Sequence, residues 1–253
     1  MKRTMAFALC VAMVLGLSGV AWTLTGNEIL AKVDEIMNAP KDRVMVSETI
    51  LIDKNGNQKK RLSKIWQKGD KKRLIKFLEP PSERGVGFLA IKDEQGNETM
   101  HLYMPAFKKV RRIASHIKHG SFMGTDFSYD DTATMRLCDD YNAELVREED
   151  KYYVLKLVPK PEAEKEYSYV MFWVTKDNFL TDKGEFYDKN GKLLKVQTNT
   201  GWKKYGNYWQ PAEMKMHNVQ DNHTTIMKTK EVKFDLGLGD DLFTIRNLKR
   251  PPK

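Results

Sequence analysis

After Pro40 the chain breaks into short runs rich in Val, Ile, Tyr, Phe and Trp, divided by turn-forming pairs such as Asn55-Gly56, Gly69-Asp70, Gly96-Asn97, Asn190-Gly191 and Asp221-Asn222. Gly and Asn reach the left-handed backbone that tight hairpins need, while β-branched and aromatic side chains suit a pleated, half-buried surface. So many such signals in a row predict a large antiparallel meander. The expected strands lie near 43–53, 59–67, 72–78, 87–92, 98–104, 107–113, 143–148, 152–158, 167–174, 182–188, 192–202, 208–218 and 225–234. A sheet of that extent does not stay flat; it curls or closes, and curling leaves a concave face that must be covered.

Two segments are available to cover it. Thr25-Gly26-Asn27-Glu28 has the spacing of a capping box, Leu24 and Ile29 stand as a hydrophobic staple, and Ile29, Leu30, Val33, Ile36 and Met37 recur on one helical face before Pro40. Between Ile113 and Asp139 the strand alternation lapses around Gly120, Gly124, Asp126, Asp130 and Asp131. That stretch holds a loop and one short helix, with Ser128 as its cap and Asp130 and Asp131 in its first turn, and it is the natural place for a lid. No Pro/Gly/Ser linker divides the chain, so a single domain is expected over 22–253.

Lys2 and Arg3 precede an uncharged apolar run from Met5 to Val20, closed by Gly19-Val20-Ala21. This is the plan of a secretory signal peptide over 1–21, with the cut expected after Ala21 and the mature chain expected in the periplasm. Cys10 lies within the apolar run rather than at the cut, which argues against a lipoprotein signal. The mature chain then holds Cys138 alone, so no internal disulfide is available and the hydrophobic core must supply the stability. Cys138 itself reads as a small buried hydrophobe. The chain has 43 Lys+Arg against 34 Asp+Glu, a formal charge of +9 that includes Lys2 and Arg3. Export makes nucleic acid an improbable partner for the basic clusters, and peripheral contact with an anionic lipid surface or an acidic protein fits them better.

The faces of the expected strands carry the functional question. Met100, Leu102 and Met104 share one side of their strand, and His101 and Tyr103 take the other. In 167–174 both sides avoid water: Tyr167, Tyr169, Met171 and Trp173 on one, Val170, Phe172 and Val174 on the other. Met and aromatic side chains on an inner face suit a cavity for a flexible apolar guest, and they equally suit an ordinary β core. Catalytic signals are sparse. None of the five histidines falls in a metalloprotease, CxxC or Ser/His/Asp signature. His116 and His119, with Asp126 and Asp130 downstream, are the one grouping with metal-ligand chemistry, and a metal-dependent hydrolase using His116 and Asp126 is the enzymatic alternative.

A set of ordered motifs decides between these readings. Pro80-Pro81-Ser82-Glu83-Arg84-Gly85-Val86-Gly87-Phe88-Leu89 is followed by Tyr103-Met104-Pro105 and Lys109-Val110-Arg111-Arg112-Ile113. Then comes Ser121-Phe122-Met123-Gly124-Thr125-Asp126-Phe127-Ser128-Tyr129-Asp130-Asp131. Together they resemble the bacterial outer-membrane lipoprotein-sorting protein family, which is similar to the periplasmic lipoprotein carriers of the LolA and LolB type. A Gly-Ser-Asp-Phe run is usual in the family, and Thr125 replaces its serine conservatively.

The resemblance implies a mainly β fold: a strongly curved antiparallel sheet forming an incomplete (half) barrel, with an N-terminal helix and a short lid covering the concave face. It implies a carrier of lipoprotein acyl chains or other lipids, without catalysis, cofactor or metal, working between an inner-membrane exporter and an outer-membrane acceptor. A periplasmic protein-binding module, such as a sensor or exporter accessory, is the alternative. The expected cavity wall is Met100, Leu102, Met104, Tyr169, Met171 and Trp173, joined by Phe122, Met123 and Phe127 from the lid. Arg111 and Arg112 either meet a head group or pair with Asp126 or Asp130, and Gly124 supplies a backbone conformation closed to other residues.

Overall fold

Thr25 Oγ1 accepts a hydrogen bond from the Glu28 backbone N–H at 3.3 Å, and the Glu28 carboxylate accepts one from the Thr25 N–H at 2.7 Å. This reciprocal cap opens α1 (Gly26–Met37), as the spacing predicts. The computed structural model describes residues 24–133 and 135–252. The expected signal peptide, its cut after Ala21, and Cys10 lie outside the described residues. Among the described residues, no helix is long and apolar enough to cross a membrane.

Six strands follow α1 as a meander: β1 (Asp42–Ile52), β2 (Gln58–Lys68), β3 (Lys72–Glu79), β4 (Gly87–Lys92), β5 (Glu98–Met104) and β6 (Lys109–Arg112). A crossing segment then carries two short helices, α2 (Tyr129–Ala133) and α3 (Leu137–Asp140). A second run returns through β7 (Tyr141–Glu148), β8 (Tyr152–Pro159), β9 (Tyr169–Thr175), β10 (Thr181–Tyr187) and β11 (Leu193–Thr200). The hairpin of β12 (Lys203–Tyr205) and β13 (Tyr208–Gln210) leads to β14 (Glu213–Asn218) and β15 (His223–Phe234). The expected strand over 208–218 is therefore two strands, broken at Pro211, which has no N–H to give a ladder. β12 was not expected from the sequence.

Three of the hairpin turns share one chemical frame. At Asp53, Asp93 and Asp188 the carboxylate accepts backbone N–H bonds from the residues two and four positions on, at 2.8–3.0 Å. The glycine in the fourth position takes a positive φ, as at Gly56 (+84°). Local sequence alone thus fixes where the chain reverses.

Thirteen strands form one antiparallel sheet in the order β6-β5-β4-β3-β2-β1-β15-β14-β11-β10-β9-β8-β7. The two meanders meet at a seam where β1 pairs with β15, from Arg43 opposite Phe234 to Ile52 opposite Thr224. β6 and β7, neighbours in sequence, are the opposite edges of the sheet, so the sheet does not close into a barrel. Residues 113–140 have to run from one edge to the other. The covering segment is therefore a consequence of strand order.

α1 covers the β7 edge: Asn27 Oδ1 accepts from the Ala143 N–H at 2.7 Å, and a Cβ on Gly26 would lie 2.5 Å from the Ala143 carbonyl oxygen. The inner face then carries two apolar clusters rather than one. Ile29, Leu30 and Val33 of α1 pack with Leu155, Leu157, Val170 and Phe172, while Ile75, Phe77, Phe88, Met100 and Leu102 pack with Ile113 and Phe122. The outer face of β3 and β4 is covered by Phe243 and by Leu248 of α4 (Ile245–Leu248), set against Leu74 and Leu89.

Asp34 ties α1 to the crossing segment. Its carboxylate accepts the N–H groups of Leu137 at 2.9 Å and Cys138 at 2.7 Å, satisfying orphan donors at the start of α3. Burial holds this carboxyl above its ordinary pKa, against the pull of those bonds. Asp34→Ala should lower unfolding free energy by about 1–3 kcal/mol in urea titration, because two partly buried N–H groups lose their acceptor.

Lys76, buried on the outer face, donates to the carbonyl oxygens of Asn247 at 2.6 Å and Arg250 at 2.8 Å. Burial, with Arg250 nearby, lowers its ammonium to about 8. An unfolded lysine keeps its proton to about 10.4, so between these values the unfolded chain binds more protons and stability rises with pH; below about 8 the penalty is complete. Denaturation at pH 7.5 and pH 9.5 should show this gain in the wild type and its loss in Lys76→Met.

Candidate functional site

The stretch Ser121–Ser128 is folded as a miniature hairpin. The Phe122 N–H donates to the Phe127 carbonyl at 2.7 Å, the Thr125 N–H donates to the Phe122 carbonyl at 3.0 Å, and Ser121 bridges Ser128. Met123 (φ +53°) and Gly124 (φ +79°) both occupy the left-handed region at its tip. A Cβ on Gly124 would meet nothing within 4 Å, so glycine is needed here for backbone conformation rather than space. Ser128 caps α2 as expected: its Oγ accepts from the Asp131 N–H, and the Asp131 carboxylate accepts from the Ser128 N–H, both at 2.9 Å.

Polar anchors from both halves of the sheet hold this segment across the inner face. From the first half, Arg61 on β2 donates to the Met123 carbonyl at 2.7 Å, and Arg73 on β3 donates to the Thr132 carbonyl. From the second, Thr225 on β15 exchanges bonds with Asp126, accepting from its N–H at 2.9 Å and donating to its carboxylate at 2.6 Å, and His223 lies 2.8 Å from the same carboxylate. Lys165 meets Asp130 at 2.8 Å and Asp140 at 2.6 Å, and the Tyr167 hydroxyl donates to Asp131 at 2.8 Å.

Beneath the segment, between the two apolar clusters, lies a cavity of about 350 Å³. Its walls come from α1 (Val33, Met37), the crossing segment (Phe122, Phe127), the first half-sheet (Ile65, Ile75, Phe77) and the second (Phe172, Phe186, Met214, Met216, Met227). A polar minority faces the same space, including Arg43, Gln67 and Arg73 from β1, β2 and β3 and Gln197, Asn199 and Gln210 from β11 and β13. Thr181 Oγ1 and Gln210 Oε1 are buried in this wall without a hydrogen-bond partner. The arrangement suits an apolar guest with a few polar groups to orient it.

The structure brings some of the expected site residues to this cavity and directs others elsewhere. Phe122 and Phe127 line it. Met100 and Leu102 are on the inner face but are spent in solid packing with Phe88, Ala90 and Phe122, and Met104 packs at the margin of that cluster. Met123 packs there too, its carbonyl engaged by Arg61. Tyr169, Met171 and Trp173 face the other way. Met171 stands opposite Lys156 on one side and Glu185 on the other, Tyr169 stacks on Tyr187 at 4.3 Å, and the Lys183 ammonium lies 4.3 Å from the Trp173 ring. Charged side chains cover these aromatics on the outer face, and the cavity wall is formed instead by the alternate residue, Phe172.

Arg111 and Arg112 are exposed on the edge strand β6, and neither alternative of pairing with Asp126 or Asp130 is met; those carboxylates pair with His223 and Lys165. The engagement of Asp126 by His223 and Thr225 also replaces the expected grouping with His116, which is exposed. Among the described residues, no group of three or more His, Cys, Asp or Glu could hold a metal ion. Burial and then Asp34 push the Cys138 thiol up to about 12, which leaves it unreactive.

The same architecture recurs in solved structures. A domain from Vibrio parahaemolyticus, described as an outer membrane lipoprotein-sorting protein domain, is 31% identical with a TM-score of 0.82; the match covers 89% of this chain and 98% of that one. This chain belongs to the outer membrane lipoprotein-sorting protein family. A family model described as "Uncharacterized protein" matches residues 69–250, which includes the crossing segment and most of the sheet. A DUF1329 family protein from Desulfovibrio piger is 26% identical with a TM-score of 0.83, over 88% of this chain and 97% of that one. A LolA superfamily protein from Nitrosomonas europaea shares the fold, with a TM-score of 0.74 at 23% identity over 89% of this chain and all of that one. No curated protein matches the chain. The lipoprotein-sorting fold is thus a half-barrel sheet with an N-terminal helix, as the motif resemblance implies.

Proposed function

We propose that this member of the lipoprotein-sorting family is an exported, non-enzymatic carrier that takes lipid acyl chains into the cavity and moves them through the periplasm toward the outer membrane. The observation that carries this reading is the apolar hollow of about 350 Å³ between two separate clusters, beneath a segment that strand order obliges to cross it. That volume falls in the range of roughly 300–1,000 Å³ usual for small-molecule sites. Each methylene withdrawn from water is worth about 0.8 kcal/mol, so a chain of about fifteen carbons stands to gain on the order of 12 kcal/mol by entering a protein cavity. Polar anchors as well as apolar packing hold the cover, and opening follows when an acceptor that binds the cargo better competes for it.

Mature protein purified from its native host and examined by native mass spectrometry before and after solvent extraction should lose one or more lipid masses and take lipid up again on challenge. A protein that emerges lipid-free and stays so after incubation with lipid would overturn the carrier reading.

A further inference from the structure

Among the described residues, four cations line the cavity, and they are not alike. Arg61 meets Glu83 at 2.5 Å and Lys165 meets Asp130 and Asp140, so each has a carboxylate partner. Arg43 and Arg73 instead converge on one neutral oxygen: Arg43 Nε donates to Gln67 Oε1 at 3.3 Å and Arg73 Nη2 donates to the same atom at 2.9 Å. Their remaining bonds go to the Met37 and Thr132 carbonyls, also neutral. The carboxylates on the same cavity wall are committed elsewhere, Asp34 to the N–H groups of Leu137 and Cys138 and Asp131 to Tyr167 and Ser128.

Two half-buried guanidiniums brought together over an uncharged amide have no carboxylate bonded to either of them, and charges withdrawn from water are ordinarily paired. Burial lowers Arg43 to about 10 and Arg73, with Arg43 beside it, to about 9, against a weaker pull from the Glu98 carboxylate. Each guanidinium also carries more N–H donors than these carbonyls use, in a fork that matches the oxygens of phosphate or carboxylate. Ile65, Ile75 and Phe77 continue the same wall into the apolar part of the hollow.

We propose that Arg43 and Arg73 form a seat for an anionic head group, so that the cargo is an anionic amphiphile with its tail in the cavity and its phosphate or carboxylate between the two guanidiniums. This rests on the carrier reading and narrows it to a class of lipid. Gln67 is then a placeholder that spaces the arginines until an anion arrives.

The test compares amphiphiles with one chain length and different heads, using oleic acid and lysophosphatidic acid against monoolein, with inorganic phosphate as the control that has a head and no tail. The wild type should bind both anionic lipids at least about tenfold more tightly than monoolein. The double variant R43Q/R73Q should lose that preference, binding the anionic lipids no more tightly than monoolein. Gln67→Glu should lose it too, with both arginines present, because the new carboxylate supplies the missing counter-ion; this variant should also melt higher than the wild type, which guards against reading misfolding as lost binding. Tighter binding of lysophosphatidic acid alone, with inorganic phosphate competing, assigns the seat to phosphate heads; tighter binding of oleic acid alone assigns it to carboxylates. Equal binding of all three lipids overturns the seat and leaves the carrier reading standing. Binding of no lipid by a folded wild type overturns both.

Discussion

Met214→Asp should cut lipid retention by about 100-fold, whereas Met171→Asp should leave it unchanged. Both methionines lie on strands of the same half-sheet, yet Met214 lines the hollow and Met171 stands on the outer face opposite Lys156 and Glu185. A carboxylate placed against an acyl chain loses its hydration without gaining a partner, a cost of several kcal/mol, and about 2.7 kcal/mol already corresponds to that factor. On the outer face the new carboxylate has Lys156 directly across the ladder. The measurement is the amount of radiolabelled fatty acid held after gel filtration, with circular dichroism to show that both variants fold. Equal loss in the two would mean that lipid binds somewhere other than the hollow.

Lys165→Met should produce the largest change in stability, about 3–5 kcal/mol, read from chemical denaturation. The ammonium is almost wholly enclosed and lies between Asp130 of α2 and Asp140 of α3, at 2.8 and 2.6 Å. Removing it leaves two carboxylates facing each other's charge across a site that no longer holds a cation. The crossing segment should loosen first, because both carboxylates belong to it. Adding Asp130→Asn and Asp140→Asn to Lys165→Met should recover most of the loss, since neutral groups of similar shape do not repel. Failure of that rescue would show that Lys165 acts through packing rather than charge.

How much of this could be read from the chain alone follows the range of the interactions involved. The Thr25-to-Glu28 cap, the Ser128 cap and the Asp-containing turns are each complete within five residues, so the sequence displays all of their parts. The strand alternation likewise announces itself. What alternation cannot supply is direction: in 169–174 both parities are apolar, and only the ladder partners Lys156 and Glu185 reveal that Met171 looks outward. Those partners depend on register, and a slip of one residue would reverse every face. For the same reason Phe172 is not told from Met171 as a wall residue, nor Met214, Met216 and Met227 from ordinary core, until the strands are paired.

The polar features are more hidden still. Thr225 reaches Asp126 from 99 residues away, and Arg43 and Arg73 share Gln67 only because β1, β2 and β3 lie side by side with those residues in step. In the sequence, Arg73 is one member of a surface-like Lys-Lys-Arg run and Arg43 stands in a charged Lys41-Asp42-Arg43 stretch near a strand start. A basic cluster usually means a solvated face, and here the fold turns one of its members inward.

In the carrier proposed here, the hollow beneath the crossing segment is the place where a lipid chain resides. A fatty acid carrying a photoreactive diazirine at mid-chain, irradiated with the intact protein and mapped by peptide mass spectrometry, tests this directly. The cross-links should fall on the peptides that contain Phe122, Phe127, Phe172, Met214, Met216 or Met227. Labelling concentrated instead on outer-face residues such as Tyr169 or Trp173, or spread evenly over the surface, would contradict it.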